Sequence, residues 1–176
     1  MPGHIGAWMK QNPVLFAAGC GLGVAICGYL SGDTIWGTGY AQARGLVHGV
    51  NQLGWQFTPL KFLATVFSSV SGVPGGIFSP SLSVGAGFGA DVARLFPTAP
   101  MGAIVLIGMV SYFAGVVQAP ITSFVIVSEM VDNHQMLVPL MAAALIATAC
   151  SKLVCREGVY HALSKRYLEA AQDRPS

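Results

Sequence analysis

Formal charge is what this chain has least of: Asp, Glu, Lys and Arg together make up 9% of its 176 residues, against roughly 25% in an average soluble domain. Whole stretches carry none, from Pro13 to Ser31, from Phe62 to Ala90 and from Leu95 to Ser128. The net charge of +2 is too small to grip a phosphate backbone, which excludes nucleic acid as a partner. Cysteine is sparse too. Cys20, Cys27, Cys150 and Cys155 make no CxxC pair and have no histidine at ligand spacing, so no metal site is expected and all four read as buried free thiols. The signatures of catalysis are missing as well. No GxSxG, HExxH or GxxxxGK[ST] occurs, and no pair of carboxylates flanks a cleft, so the chain does not read as an enzyme and no cofactor is expected. Met1 to Pro13 lacks the pattern of a cleavable signal peptide.

What is present instead is apolar: 53% of residues are hydrophobic, and 22 glycines and 10 prolines are spread among them without a short repeat. A membrane span needs about 20 apolar residues, so each of the two longer charge-free runs has room for more than one segment. The expected fold is all-α, one multi-spanning membrane domain over residues 1–176, with tilted, broken and re-entrant helices. Trp8 and Lys10 suit a short interfacial piece over residues 4–11. Helices are expected from Pro13 to about Leu30, Ala41 to Leu53, Leu60 to about Ser69, Pro80 to about Leu95 and Met101 to about Val117. Three more follow: Pro120 towards Asp132-Asn133, Leu137 to Leu153, and Val159 to Ala170. Five of the nine Lys and Arg residues (Lys152, Arg156, Lys165, Arg166, Arg174) lie in the last 25 positions, which puts the C-terminus in the cytoplasm by the positive-inside rule.

One stretch interrupts this pattern in the middle of an uncharged run, Gly72-Val73-Pro74-Gly75-Gly76-Ile77-Phe78-Ser79-Pro80. Pro74 and the two glycines bar a regular helix, Pro80 fits the first turn of a new one, and Ser79 is placed to cap it. Backbone N–H groups at such a break have no intrahelical partner, and the helix start carries partial positive charge. Irregular backbone at membrane depth survives only where protein surrounds it or it lines a watery cavity. Two readings follow: an anion site built from backbone amides, with Phe78 as a wall and Ile77 packed beside it, or a kink that only bends a helix. Tyr160, at the start of the last helix, can donate one hydrogen bond to an anion while neutral, or serve as an interfacial tyrosine. Glu129 is an intramembrane acid, and local pairing near its helix end explains it better than proton transfer does. Asp91 and Arg94, three apart, suit a local helix pair. Gly85-Ala86-Gly87-Phe88-Gly89-Ala90 satisfies GxGxx[GA], but without a βαβ setting it reads as glycine-mediated helix packing.

These residues resemble those of a known family. Gly76-Ile77-Phe78-Ser79-Pro80 is similar to the GxFxP signature of the CLC chloride channels and chloride/proton antiporters, with Ser71 to Gly75 as its lead-in. Gln118-Ala119-Pro120-Ile121-Thr122, the run Val127 to Asn133, and Val159-Tyr160 resemble later elements of that family in the right order. The resemblance implies that the amides of Ile77 and Phe78 and the hydroxyl of Tyr160 bind the anion, while Gly75, Gly76, Ser79 and Pro80 shape the loop. It implies chloride as the transported ligand, protons as a second one in the antiporter case, and a homodimer joined through the helices between Pro120 and Lys152. The family's serine loop (GSGIP) and gating-glutamate loop (GxEGP) do not occur here, so the chain corresponds to a C-terminal half whose partner is the N-terminal half of the transporter. Channel and antiporter both stay open at this point. So do a non-conducting membrane assembly fragment and half of a different anion transporter.

Overall fold

The computed structural model describes residues 12–49, 53–71, 75–131, 134–161 and 164. Among them every regular element is helical: α1 (Pro13–Leu30), α2 (Tyr40–Val47), α3 (Phe57–Val70), α4 (Phe78–Leu95), α5 (Met101–Val117), α6 (Pro120–Val131) and α7 (Leu137–Val154). A 3-10 turn, His134–Met136, precedes α7. The interfacial piece over residues 4–11, the cap at Asp132-Asn133 and most of the expected last helix lie outside the described residues, although 159–161 are helical.

Proline marks most of the starts, as a residue that needs no N–H in the first turn should. Pro13 and Pro120 open α1 and α6, and Pro59 and Pro80 are each the third residue of α3 and α4. Three expected boundaries shift by two residues or more. The helix expected from Leu60 already begins at Phe57. The second helix stops at Val47 rather than Leu53, because Gly49 takes a left-handed φ of +68° and turns the chain away. Ser79 is not the cap of α4: the helix begins one residue earlier, at Phe78, and Ile77 occupies the cap position.

The centre of the fold is the crossing of α4 and α5, and glycine makes it possible. A Cβ on Gly85 would lie 2.8 Å from the Gly108 carbonyl, one on Gly89 2.7 Å from the Val105 Cα, and one on Gly108 2.6 Å from the Gly85 carbonyl. The two backbones therefore touch directly, the close approach that small residues give membrane helices. The glycine run of α4 is thus a packing surface. Leu82, Ala86, Ala90, Val105, Met109, Val110 and Phe113 form the buried core around it, extended by Leu140 and Ala144 of α7. A smaller cluster of Cys27, Ile35, Phe57 and Ala64 joins α1 to α3.

α1 and α7 are each 18 residues long and apolar enough to cross a membrane, and only 17% of each is buried within the chain. Their outer faces present Leu15, Leu22 and Ile26, and Val138, Leu145 and Ile146. That exposure corrects one expectation: Cys20 and Cys27 are buried free thiols, but Cys150 and Cys155 on and just after α7 are exposed.

Candidate anion site at the amino end of α4

The amino end of α4 is left without a side-chain cap, and no acidic residue stands in its first turn. Ile77 takes helical angles (φ −85°, ψ −23°) and its carbonyl accepts from the Ser81 N–H at 3.1 Å. Among the described residues, no acceptor meets the N–H groups of Ile77, Phe78 or Ser79. Gly75 and Gly76 are exposed and non-helical, and a Cβ on Gly76 would meet nothing within 4 Å. The Phe78 ring is fixed from below by an edge-to-face contact with Phe113 of α5, centroids 5.0 Å apart at 83°. Phe78, Ser79 and Leu82 form one wall of an open groove of about 440 Å³. Tyr40 of α2 and Val125, Ile126, Glu129 and Met130 of α6 complete it.

Ile77 and Tyr160 do not wall this groove. Tyr160 is half exposed, on the helical turn after Gly158. Gly158 fixes where that turn starts: a Cβ there would sit 2.5 Å from the Val117 carbonyl, so the chain presses on the last residue of α5. Phe113, under Phe78, is one turn back on the same helix face. The Phe78 ring and the Tyr160 segment are thus both anchored on the last turns of α5.

Those turns are held firmly. Gln118 ends α5 in a left-handed conformation (φ +58°), and its amide donates to Ser151 Oγ at 3.2 Å and to the Cys155 carbonyl at 2.8 Å. Ser151 Oγ in turn donates to the Gly115 carbonyl at 2.6 Å, satisfying an acceptor that the helix end leaves open. Nothing in the local sequence announces these contacts, which join residues more than thirty positions apart.

One charged group lines the groove, Glu129, and a second, Lys61, is buried in the neighbouring α3. Glu129 is exposed on the groove wall and makes no ion pair among the described residues. Lys61 of α3 is 3% exposed, and its ammonium donates to the carbonyls of Ile35 at 2.7 Å and Gly37 at 2.8 Å. Sequence reasoning passed over Lys61, although it is the single formal charge between Arg44 and Asp91, and that isolation was the available signal. Beside it, Gly39 at φ +73° comes so close that a Cβ would lie 2.1 Å from Ser83 Oγ and 3.0 Å from Lys61 Cε. Ser83 Oγ is buried and has no partner among the described residues.

At the other end of α4, polar groups are paired. Asp91 accepts from Thr58 Oγ1 at 2.5 Å and from Arg94 at 3.1 Å, as the spacing predicts for the latter pair. Arg94 also donates to the Leu53 carbonyl and lies over the Trp55 ring, 5.1 Å from its centroid.

Comparison with known proteins agrees with the motif. The profile of the family described as "Voltage gated chloride channel" matches residues 3–152. The H(+)/Cl(-) exchange transporter ClcA of Yersinia pestis bv. Antiqua (strain Angola) is 33% identical over 177 residues, 94% of this chain and 36% of the relative. ClcA of Vibrio vulnificus (strain YJ016) is 35% identical over 115 residues, 62% of this chain and 25% of the relative. The chain thus spans about a third or less of the length of the curated relatives it matches. Since that profile covers most of its residues, the chain belongs to the voltage gated chloride channel family.

Proposed function

We infer that this chain is the anion-binding C-terminal part of a membrane protein that transports chloride, with protons as the second ion where transport is coupled. The observation that carries this reading is the uncapped start of α4, which opens into the groove beside Phe78 and Ser79. Peptide N–H groups there supply partial positive charge without a fixed counter-ion, which suits an ion that must also leave. The Tyr160 hydroxyl, on a segment seated against the end of α5, is the neutral donor that closes the site. Neither group performs covalent chemistry, so transport needs no catalytic residue and no cofactor.

The similarity to H(+)/Cl(-) exchange transporters supports chloride and protons as the transported pair. The apolar outer faces of α1 and α7 fit contact with lipid and with the N-terminal portion of the transporter. Ile121 and Val125 of α6 and Val138 and Leu145 of α7 are exposed on the helices that would join a homodimer. The basic C-terminal segment places that end in the cytoplasm.

The test is chloride binding to the full chain in detergent micelles by isothermal titration, then chloride efflux from liposomes when the chain is reconstituted with the complementary N-terminal half. Tyr160→Phe, which removes one hydrogen bond to a charged group, is expected to weaken binding by about tenfold to a hundredfold. Phe78→Ala keeps its amide and loses the Phe113 contact that holds the loop, so a smaller loss, about three- to tenfold, is expected there. Unchanged binding in both would remove the site. A folded chain that binds no chloride would point to the assembly-fragment reading.

A further inference from the structure

A magnitude problem in the groove leads to the inference. The free start of a helix is worth roughly half a positive charge, whereas Glu129 brings a full negative one to the wall of the same groove. Left to these two groups, the groove would not favour an anion. A further positive charge is needed, and Lys61 is buried near Ser83, one helical turn along α4 from the groove-lining Ser79. Gly39 and Ser83 connect it to the groove: Tyr40, which follows Gly39, and Ser79, one helical turn before Ser83, both line the cavity. Ser83 Oγ and Lys61 Cε both lie within 3.0 Å of the point where a Gly39 Cβ would stand.

We propose that Lys61 is the electrostatic positioning residue of this site, the fixed buried cation that makes the α4 groove selective for anions, with the Ser83 hydroxyl as the polar link between the two. The proposal rests on the groove being the anion site. Lys61 suits this role because its partners are carbonyls. Ile35 and Gly37 hold the ammonium in place without cancelling its charge, and no carboxylate of the described residues pairs with it. Burial matters as much as sign. At 3% exposure, Lys61 is shielded from mobile ions, so its field is little screened. In general, a unit charge about 10 Å from an ion, at an effective dielectric of about 20, changes its occupancy on the order of tenfold.

The experiment titrates sodium chloride into the full chain in micelles, with sodium isethionate as background, and compares Lys61→Gln, Lys61→Arg and Glu129→Gln. Glutamine keeps a donor for the Ile35 and Gly37 carbonyls while removing the charge. The expected result is a roughly tenfold loss of chloride affinity in Lys61→Gln, most of it recovered in Lys61→Arg, and a few-fold gain in Glu129→Gln. Wild-type affinity in Lys61→Gln, with chloride still bound by the parent chain, overturns the role of Lys61 and leaves the amide site standing. Equal losses in the Gln and Arg variants also overturn it, since they mark a packing role. If Lys61→Gln does not fold, Glu129→Gln decides: unchanged affinity there rejects the balance of charges. No chloride bound by the parent chain rejects both the site and the role of Lys61.

Discussion

The two ends of α4 treat their polar groups in opposite ways. At the carboxyl end, Asp91 accepts from Thr58 and Arg94, and Arg94 also reaches the Leu53 carbonyl and covers the Trp55 ring. Each strong donor there meets an acceptor from the same chain, and the result ties α3, α4 and the segment before α3 together. At the amino end, the first amides have no cap, Ser83 Oγ has no partner among the described residues, and the buried ammonium behind it is held by neutral carbonyls. Buried polar groups are normally satisfied, and those that are not call for a reason. One helix therefore separates two tasks, with internally closed polarity serving the fold and open polarity left for something that arrives. The comparison predicts that damage at one end should be read in stability and damage at the other in binding.

The largest effect is expected from Asp91→Ala. The change removes the shared acceptor and leaves the Thr58 hydroxyl, 2% exposed, and the Arg94 guanidinium without it. Breaking a buried charge pair from one side costs about 3–5 kcal/mol. Because Asp91 and Arg94 keep 18% and 25% of their side-chain surface exposed, about 3 kcal/mol is the appropriate figure, the low end of that range. Unfolding in mixed micelles, followed by the fluorescence of the adjacent Trp55, would measure it. Chloride affinity of the folded protein should not move. A parallel loss of affinity would mean that the two ends are not separable.

Ser79→Asp probes the other end and should act in the opposite sense. A carboxylate in the first turn satisfies the free amides and complements the helix dipole, a gain of about 0.5–1 kcal/mol. The same carboxylate competes with the ion for those amides, so chloride affinity should fall by more than about tenfold, the scale of one full charge at this range. A protein that is stabilised and no longer binds is the sharpest support for the comparison. Stabilisation with intact binding would place the ion elsewhere.

How far this was readable beforehand depended on the range of each interaction. The bounds of α1, α5 and α7 were legible because charge-free runs meet prolines and polar breaks at their ends. The motif places a cap at Ser79 only if Pro80 is the first helical residue, whereas proline is tolerated at any of the first positions, where no N–H is needed. The end of α2 was missed because nothing in the composition distinguishes the left-handed Gly49 from other glycines. Asp91 and Arg94 could be paired from their spacing, but Thr58 could not, being 33 residues away. Lys61 shows the limit most clearly, since its carbonyl partners lie 26 and 24 residues back in a loop with no repeating pattern. The interruption before α4 was legible through its motif, while the groove wall supplied by Tyr40 required the fold.

The smallest expected effect distinguishes charge from shape at the closed end. In Arg94→Lys the positive charge beside Asp91 is kept, so an account based on charge alone predicts no change. The guanidinium does two further things that an ammonium on a flexible stem does poorly: a second N–H donates to the Leu53 carbonyl, and its plane lies over Trp55. Losing both should cost about 1 kcal/mol, the sum of a modest hydrogen bond and an exposed cation–π contact. A double-mutant cycle with Trp55→Leu divides the two, because only the stacking part couples to the ring. Coupling of about 0.5 kcal/mol would assign half the loss to the stack, and no coupling would assign the whole to the Leu53 carbonyl. In either case chloride binding at the amino end should be unmoved, since Arg94 lies four helical turns away from Phe78, beyond the reach of a screened, paired charge.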